Sequence, residues 1–343
     1  MKLIVDTMGS DNGCAELTKG VIDAVRELEI DAVAVGDQAV IEPLVEAAGL
    51  THRIRTVHAP LAVTMEDEPN VVMRGEKTAS SMVAAMKLLS SGEGDAVVTA
   101  GNTGAAIMAS TLYVGRIRGI RRAALAPILP VGHGGVLLID SGANVQCTPE
   151  YLLQFAYLGS YYMRFVLNRG SDQLPTVGLL NIGAESHKGD ELHRNAYALL
   201  KRAGEEGLLN FVGNIEGRDV PSGRADVVVA DGFSGNVCLK ALEGIGLFFV
   251  GELKKAMFSS FRSKMGALLL KPSLASLKKT MNYKEIGGSP LVGISAPVIK
   301  AHGSADAFTM KNAMRQAMQY VEGDMIRRIL ENIDCMKAPS SGN

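Results

Sequence analysis

The side chains best suited to chemistry lie in six short segments that are rich in glycine and asparagine, each after an apolar run. They are 6–11, 100–105, 140–144, 181–189, 231–236 and 302–304. Glycine lets backbone N–H groups come close to a ligand, and helix N-termini favour anions. Asparagine side chains add neutral hydrogen-bond donors. Together the six segments predict a site for an oxyanion such as phosphate.

Positive charge in these segments could come from Lys188 and His302. Each residue also has an ordinary structural explanation. His302 could hydrogen-bond to backbone, and Lys188 could be a solvated residue at the start of a helix. Asp6, Asp140 and Asp231 end apolar runs and could cap the segments that follow them. The joint pattern of the six segments favours a functional site over six unrelated turns.

Short apolar runs alternate along the chain with amphipathic stretches of helical length. The predicted strands are 3–6, 32–36, 54–58, 96–99, 136–140, 177–181, 227–230 and 298–301. The predicted helices are 15–28, 39–48, 78–89, 103–113, 149–167, 190–201 and 305–333, with a long helical region after Asn236. This alternation predicts an α/β fold that is Rossmann-like, with a mainly parallel sheet and helices on both faces. Ligands bind beyond the carboxyl ends of such strands, where the six segments lie.

The domain organisation follows from what interrupts this alternation. Residues 1–336 are predicted to form one α/β catalytic domain, because neither a linker nor an internal repeat is evident. Residues 252–296 break the alternation, and we predict that they form a helical projection. The small, polar residues 337–343 are predicted to be a disordered tail.

Composition excludes several classes of protein. Of 343 residues, 47% are apolar and 21% charged, and the formal net charge is −1, which gives no reason to expect a nucleic-acid partner. The four cysteines of the chain form no CxxC pair, so neither a zinc site nor a disulfide framework is expected. No signal peptide or run of roughly 20 apolar residues is evident, so we expect a cytoplasmic protein.

Read in order, the segments resemble the bacterial phosphate acyltransferases (acyl-carrier-protein:phosphate transacylases) of phospholipid synthesis. The matching segments are 5–11, 100–105, 142–144, 147–156, 180–189, 213–217, 231–240, 287–291 and 302–304, and they reach across nearly the whole chain. There are departures from the family pattern. Ser10 replaces a usual second glycine, Gly13-Cys14 stands near a usual Ala-Pro, and Ala305-Asp306 replaces a usual Ser-Asn.

The resemblance implies a fold, a reaction and partners. It implies a homodimer whose Rossmann-like body is related to the isopropylmalate dehydrogenase architecture. It implies transfer of a long-chain acyl group from acyl carrier protein to inorganic phosphate, giving an acyl phosphate that a glycerol-3-phosphate acyltransferase consumes. Neither a metal nor a redox cofactor is implied.

The chemistry of that reaction fits these residue types. Phosphate is already an anionic nucleophile, and a thiol with a pKa of about 8.5 leaves readily as thiolate. Catalysis then needs positioning and charge stabilisation rather than a protein nucleophile. We expect Lys188 to neutralise phosphate or the developing oxyanion, and Asn236 to donate to the acyl oxygen. The remaining substrate-binding candidates are Gly9, Ser10, Asp11, Asn102, Thr103, Gly104, Asn144, Asn181, His302, Gly303 and Ser304. Cys147 is the alternative nucleophile.

The segment 252–281 is basic and partly apolar, although the whole chain is nearly neutral. A basic amphipathic helix can lie on an anionic membrane surface, and a basic patch would also attract the acidic acyl carrier protein. Alternatively, its apolar side packs against a partner subunit. The resemblance favours a peripheral membrane role. The expected contact residues are Lys254, Lys255, Phe258, Phe261, Arg262, Lys264 and Leu268.

Three other functions remain open. A phosphotransacetylase-like enzyme would use a coenzyme A thioester in a similar site. A dehydrogenase of related fold would need metal-binding aspartates that cannot be assembled here. A non-catalytic scaffold for acyl carrier protein at the membrane would have no use for an oxyanion pocket. The sequence contains no GxGxxG after the first predicted strand, no GxxxxGK[ST], no GxSxG and no HExxH.

Overall fold

Two β-sheets form the centre of the structure, a computed structural model that describes residues 1–131, 134–170, 173–280 and 285–337. The predicted α/β class, with mainly parallel strands and helices on both faces, is confirmed. The strands do not form the single sheet that the sequence suggested, because they are divided between a seven-stranded and a five-stranded sheet. Except for Lys337, the tail predicted at 337–343 lies outside the described residues.

The larger sheet contains the first strands of the chain. In spatial order it consists of β3 (Ile54–His58), β2 (Asp31–Gly36), β1 (Lys2–Asp6), β4 (Ala96–Thr99), β12 (Val298–Ala301), β11 (Gly288–Val292) and β5 (Ala124–Leu125). The neighbouring strands β3, β2, β1, β4 and β12 are parallel, and β11 is antiparallel to both of its neighbours. Val5 is paired with Ala34 on β2 and with Val98 on β4.

The smaller sheet is formed by the middle of the chain. Its order is β6 (Ile128–Leu129), β7 (Val136–Ile139), β10 (Val227–Val229), β8 (Thr176–Leu180) and β9 (Asn210–Ile215). Strands β7, β10, β8 and β9 are parallel, whereas β6 is antiparallel to β7. Both sheets thus direct a row of strand carboxyl ends toward loops that can hold a ligand.

The ten helices of the described residues are mostly crossovers between parallel strands. They are α1 (Gly13–Leu28), α2 (Gln38–Ala47), α3 (Ser81–Ser90), α4 (Thr103–Ala109), α5 (Pro149–Tyr161), α6 (Glu191–Glu205), α7 (Gly232–Phe258), α8 (Phe261–Thr280), α9 (Ala307–Glu322) and α10 (Met325–Glu331). Four of them begin after an aspartate whose carboxylate accepts backbone N–H groups of the first turn, namely Asp37, Asp190, Asp231 and Asp306.

Continuous apolar strands explain why helices cover both faces of the sheets. On β1, Leu3 and Val5 belong to a core with side chains of α1 and α9, whereas Ile4 belongs to a second core with side chains of α3. The first core also contains Ile139 and Val229 of the smaller sheet. The two sheets therefore share one continuous apolar interior, which holds their carboxyl ends close together.

Several boundaries differ from the sequence interpretation. All eight predicted strands are present, but β5, β6, β9 and β11 were not predicted. Strand β11 lies within the projection predicted at 252–296, where Pro290 and Leu291 are buried in the sheet. The helical pair α7–α8 instead begins at Gly232, and its first turns belong to the body. The predicted helix 305–333 is interrupted near Asp324, which has a left-handed backbone conformation.

Candidate active site

A cleft of about 350 Å³ lies between the carboxyl ends of the two sheets. Its polar and small lining residues are Thr103, Gly104, Ser141, Gly142, Asn236, Lys240, Glu243, Gly287, Gly288, Ser289, Lys300, Ala301 and His302. Its larger apolar lining residues are Leu125, Pro127, Ile128, Leu129, Pro130, Leu239 and Ile286. The cleft thus offers both polar groups and apolar surface to a ligand.

The buried carboxylate of Asp140 organises the loop that follows β7. One oxygen accepts the N–H groups of Leu125 and Ala143 at 3.0 and 3.1 Å. The other accepts the backbone N–H and the side-chain amide of Asn144 at 2.6 and 3.0 Å. Burial raises the pKa of Asp140, while these donors oppose the increase. The Asn144 amide also donates to the carbonyl of Ala123 at 2.8 Å, so it holds the loop rather than lining the cleft.

The N-terminus of α7 is fastened against this loop. Asp231 accepts the N–H groups of Phe233 and Ser234, both at 3.0 Å. The N–H of Gly232 donates to the carbonyl of Asn144 at 2.8 Å. A methyl group added at Gly235 would lie 1.9 Å from the carbonyl oxygen of Asp140. Glycine at 235 therefore permits the contact between helix and loop.

Asn236 is held at the cleft by this contact. It lies near the start of α7, is exposed, and lines the cleft. A methyl group added at Gly142 would lie 3.8 Å from the Asn236 side chain, so the loop after β7 and the helix form one wall. Its amide can donate to a carbonyl oxygen in the cleft.

Lys300 is a cleft residue that the sequence interpretation missed. Its side chain is only 8% exposed, although it lines the cleft. Burial, assisted by the nearby positive charge of Lys240, lowers the pKa of Lys300 to about 8. Asp11 acts in the opposite direction. The sequence did contain a signal, because Lys300 interrupts the apolar strand Val298–Ala301.

His302 is the only predicted cation that the described structure brings into the cleft. Its Nδ1 lies 2.8 Å from the hydroxyl of Ser304. Burial lowers the pKa of His302, and the positive charges of Lys300 and Lys240 lower it further. His302 is therefore held mainly neutral, which suits a hydrogen-bonding role better than a charge-neutralising role.

The loop after β1 lies beside the cleft and is tied to the loop after β12. The hydroxyl of Ser10 donates to the carbonyl of Ala305 at 3.0 Å, and the N–H of Asp11 donates to the carbonyl of Gly303 at 3.0 Å. Gly9 has a φ of +76°, and a methyl group added there would lie 3.0 Å from the Cα of Gly101. The predicted binding residues Gly9, Ser10, Asp11, Gly303 and Ser304 thus form a rim, and they are not among the residues that line the cleft.

The Asn102 side chain also has a structural role. Its amide nitrogen donates to the carbonyls of Thr64, Met65 and Asp67 at 3.2, 3.3 and 3.1 Å, and its oxygen accepts the N–H of Ala105. These bonds fasten the segment 64–67 to the start of α4. The neighbouring Thr103 and Gly104 line the cleft, as predicted for binding residues.

Lys188 and Asn181 lie beyond β8, away from the cleft lining. The amide of Asn181 donates to the carbonyl of Lys188 at 3.1 Å, and its oxygen accepts the N–H of Ile182 at 2.8 Å. The Lys188 side chain is half-buried and is not among the cleft-lining groups. In the smaller sheet, β10 lies between β8 and β7, so one strand separates the loop after β8 from the loop after β7.

A histidine connects the Lys188 loop to α7. His193 Nδ1 lies 2.6 Å from Asp190, and its Nε2 lies 4.0 Å from Asp231. Asp190 follows the Lys188 loop and caps α6, while Asp231 caps α7. Sequence reasoning did not identify this pair of contacts, because His193 lies inside an ordinary helical pattern.

Cys147 is not prepared for nucleophilic attack. Its Sγ donates to the carbonyl of Asn144 at 3.4 Å, and burial raises the pKa of the thiol to about 12. A thiol that stays protonated at neutral pH is a poor nucleophile. Among the described residues, no group of three His, Cys, Asp or Glu side chains is arranged to hold a metal ion.

The helices α7 and α8 leave many apolar side chains exposed. On α7 these include Ile245, Leu247, Phe248, Phe249, Val250 and Phe258, and on α8 they include Phe261, Met265, Leu268, Leu269 and Leu270. The predicted contact residues Lys254, Lys255, Arg262 and Lys264 are also exposed. Of the described helices, α7 alone is long and apolar enough to cross a membrane by length and composition, although its first turns line the cleft.

The fold is that of a class of α/β enzymes that includes phosphotransacetylases. A phosphotransacetylase from Streptococcus pyogenes superimposes with a TM-score of 0.60 at 14% identity, covering 94% of each chain. The EutD phosphotransacetylase from Staphylococcus aureus gives a TM-score of 0.55 at 13% identity, covering 95% of this chain and 94% of its own. A 4-hydroxythreonine-4-phosphate dehydrogenase described as putative, from Salmonella typhimurium, gives 0.51 at 15% identity, covering 93% and 99%. At these identities the likeness defines the fold alone.

Sequence similarity is more specific. Residues 1–328 match the family described as "Fatty acid synthesis protein". Phosphate acyltransferase from Alkaliphilus oremlandii is 41% identical over 337 residues, 98% of both chains. The phosphate acyltransferase of Streptococcus pneumoniae is 45% identical over 328 residues, 95% of this chain and 96% of its own. The chain therefore belongs to the phosphate acyltransferase family, and it is an acyltransferase that transfers acyl groups to phosphate.

Proposed function

We propose that the acyl donor is the thioester of acyl carrier protein and that the acyl group is a long fatty chain. A phosphate oxygen attacks the thioester carbonyl carbon, the new C–O bond forms, and the C–S bond breaks. The sulfur leaves as thiolate and takes a proton from solvent, so that the products are acyl phosphate and free carrier protein. Acyl phosphate then serves phospholipid synthesis through a glycerol-3-phosphate acyltransferase.

The observation that supports this proposal is that hydrogen-bond donors and apolar side chains line the same cleft. Asn236, Thr103 and His302 supply donors, beside which the carbonyl and the phosphate would meet. The wall from Leu125 to Pro130, together with Leu239, is apolar and suits a hydrocarbon chain. Asn236 would donate to the acyl oxygen and stabilise the negative charge that develops there.

Lys188 is proposed as a second catalytic group, which neutralises charge as the reaction proceeds. Its support is its position beyond the carboxyl end of β8, on the same side of the smaller sheet as the loop after β7. The contacts of His193 with Asp190 and Asp231 connect its loop to the start of α7. A shift of this loop toward the cleft would bring Lys188 nearer to Asn236.

The exposed helical pair suggests how the enzyme meets its partners. Apolar side chains such as Phe248 and Leu269 would be covered by a second copy of the chain, or by the lipid surface on which a lipophilic product is used. The exposed charges of Lys254, Lys255 and Lys264 would attract anionic lipid or the acidic carrier protein. We therefore propose a cytoplasmic homodimer that associates peripherally with the membrane.

The deciding experiment uses purified protein, palmitoyl-acyl carrier protein and inorganic phosphate, and follows free thiol and acyl phosphate together. We expect both products in equal amounts, and only when phosphate is present. Palmitoyl-coenzyme A replaces the carrier thioester in a parallel reaction. A strong preference for the coenzyme A thioester would contradict the carrier-protein donor and favour the phosphotransacetylase-like alternative. Thiol release without acyl phosphate would indicate a thioesterase, and no release at all would favour a scaffold.

A further inference from the structure

Lys300 places a buried positive charge in the cleft, and the described part of the chain offers its ammonium group no hydrogen bond or ion pair. Its side chain is 8% exposed, and it lines the cleft near the end of β12. Over the described ranges 1–131, 134–170, 173–280 and 285–337, no hydrogen bond or ion pair reaches its ammonium group. A buried charge without a partner is costly, so proteins normally pair it. An anion from outside the chain is the partner that the site lacks.

The charges around Lys300 also favour an anion. From α7 it is approached by Lys240, which is itself held by Glu243 at 2.8 Å. Asp11, in the loop after β1, also lies close enough to act on its charge and is exposed to solvent. His302 comes two residues after Lys300 in the sequence. Because Glu243 is already paired with Lys240 and Asp11 is solvated, neither acid neutralises Lys300.

The remaining neighbours of Lys300 add no charge. In the sheet it is paired with Thr99 on β4 and with Ser289 on β11, and both carry hydroxyl groups. The carboxylate of Asp6 is bonded to Thr99 at 2.7 Å on the buried side of β1, so it is engaged in the interior. Glu243 also lines the cleft, but it is paired with Lys240, so the cleft side of Lys300 is open to a small anion.

We propose that the Lys300 ammonium binds the phosphate co-substrate in the cleft and neutralises it beside the acyl oxygen held by Asn236. This assignment rests on the proposed function. It makes Lys300 a catalytic residue for the phosphate half of the reaction, because its charge lies in the same cleft as Asn236. Lys188 then acts on the thioester half from its own loop. An ammonium in a dry site also binds phosphate more strongly than a solvated lysine does.

The first test needs no acyl donor. A lysine-reactive acetylating reagent is applied at pH 8 with and without inorganic phosphate, and each modified lysine is quantified by mass spectrometry. We expect phosphate to protect Lys300 by about tenfold or more, in line with a charge-assisted hydrogen bond. The exposed Lys19 and Lys201, outside the cleft lining, are internal references whose protection should be smaller. Equal labelling of Lys300 with and without phosphate would overturn the assignment.

The second test separates the substrates kinetically. Lys300→Met should raise the KM for phosphate by about tenfold to a hundredfold while the KM for the acyl thioester changes less than about twofold. Lys201→Met, an exposed position on α6 outside the cleft lining, is the control. Lys300→Arg should restore part of the phosphate affinity. A phosphate KM within twofold of the wild-type value in Lys300→Met would contradict the proposal, whichever acyl donor the enzyme uses.

The pH profile adds a readout that a purely structural role would not change. Because the pKa of Lys300 is lowered to about 8, the wild-type affinity for phosphate should decline above that pH as the ammonium deprotonates. In Lys300→Arg the decline should move to higher pH, because guanidinium stays protonated. The labelling result and this shift test phosphate binding alone, so their failure is distinguishable from a failure of the acyl-transfer reaction.

Discussion

Gly235 and the carbonyl oxygen of Asp140 meet so closely that a methyl group added at the glycine would lie 1.9 Å from that oxygen. This contact joins the start of α7 to the loop after β7. It fixes the position of Asn236, the next residue along the helix. The amide that we propose as catalytic therefore depends on a backbone contact between the smaller sheet and the helical pair.

Gly235→Ala should displace the first turn of α7. We expect a loss of roughly 1–3 kcal/mol in the free energy of unfolding, as in other overpacked sites, and a larger proportional loss of turnover. Urea unfolding and the acyl phosphate assay measure the two effects. Gly244→Ala is the control on the same helix, because nothing lies within 4 Å of its added methyl group. That variant should gain stability by up to about 1 kcal/mol. Equal behaviour of the two variants would refute the role of the contact.

Lys188→Ala tests the second proposed catalytic group. If Lys188 neutralises charge in the transition state, turnover should fall by about a hundredfold or more, while the KM for phosphate stays near its wild-type value. Lys201→Ala, an exposed position on α6, should retain full activity. Near-normal turnover of a folded Lys188→Ala protein would remove Lys188 from the mechanism and leave Lys300 as the cleft cation.

Cys147→Ser should keep turnover within about threefold of wild type. Burial raises the pKa of this thiol to about 12, so almost no thiolate exists at neutral pH. The direct measurement is intact-protein mass spectrometry after mixing with acyl thioester in the absence of phosphate. We expect no covalent acyl adduct at Cys147. Detection of such an adduct, together with an inactive serine variant, would establish a two-step mechanism instead.

The predicted strands could be read from the sequence because their apolar runs are continuous. Val227–Val229, for example, is buried on both faces, which is the pattern of a parallel strand between helices. The division into two sheets could not be predicted, because it depends on how β5 and β6 turn from one sheet to the other. Each of these strands is only two residues long, too short for any periodicity.

The candidate site was predicted in part. Thr103, Gly104, Asn236 and His302 line the cleft as expected, because the carboxyl ends of parallel strands converge. Asn102 and Asn144 instead use their amides to hold backbone carbonyls. The sequence cannot distinguish an amide that binds a ligand from one that closes a loop, since both stand beside glycine. Lys300 was missed because it lies within a strand rather than in a loop.

The basic charges of the helical pair should control surface association. Changing Lys254, Lys255 and Lys264 to Glu should weaken binding to vesicles that contain anionic lipid by more than about tenfold, because each lysine contributes about 1 kcal/mol near such a surface. Cosedimentation measures vesicle binding, and the KM for acyl carrier protein measures the alternative partner. Changing the exposed Lys19 and Lys201 to Glu is the control for net charge. If neither vesicle binding nor the carrier KM changes, the basic residues serve neither partner.

In the absence of phosphate, the buried charge of Lys300 should lower the free energy of unfolding. Its folded-state pKa is about 8, whereas an unfolded lysine titrates near 10.4. Between these values the unfolded chain binds more protons, so the free energy of unfolding rises with pH. Below pH 8 the buried ammonium is charged and the penalty is complete. Lys300→Met should therefore be more stable than wild type at pH 7, and its advantage should shrink as the pH passes from 8 to 10.

Thermal unfolding in a buffer free of phosphate and sulfate measures this difference. Adding inorganic phosphate at pH 7 should then raise the Tm of the wild type but not of Lys300→Met, since only the wild type has the charge that the anion neutralises. Lys201→Met, whose lysine is exposed and paired with Glu205, should show no such pH-dependent gain. A Lys300→Met protein that is less stable than wild type at pH 7 would mean that the ammonium is paired in the folded state. The cleft would then have no unmatched charge for phosphate to neutralise.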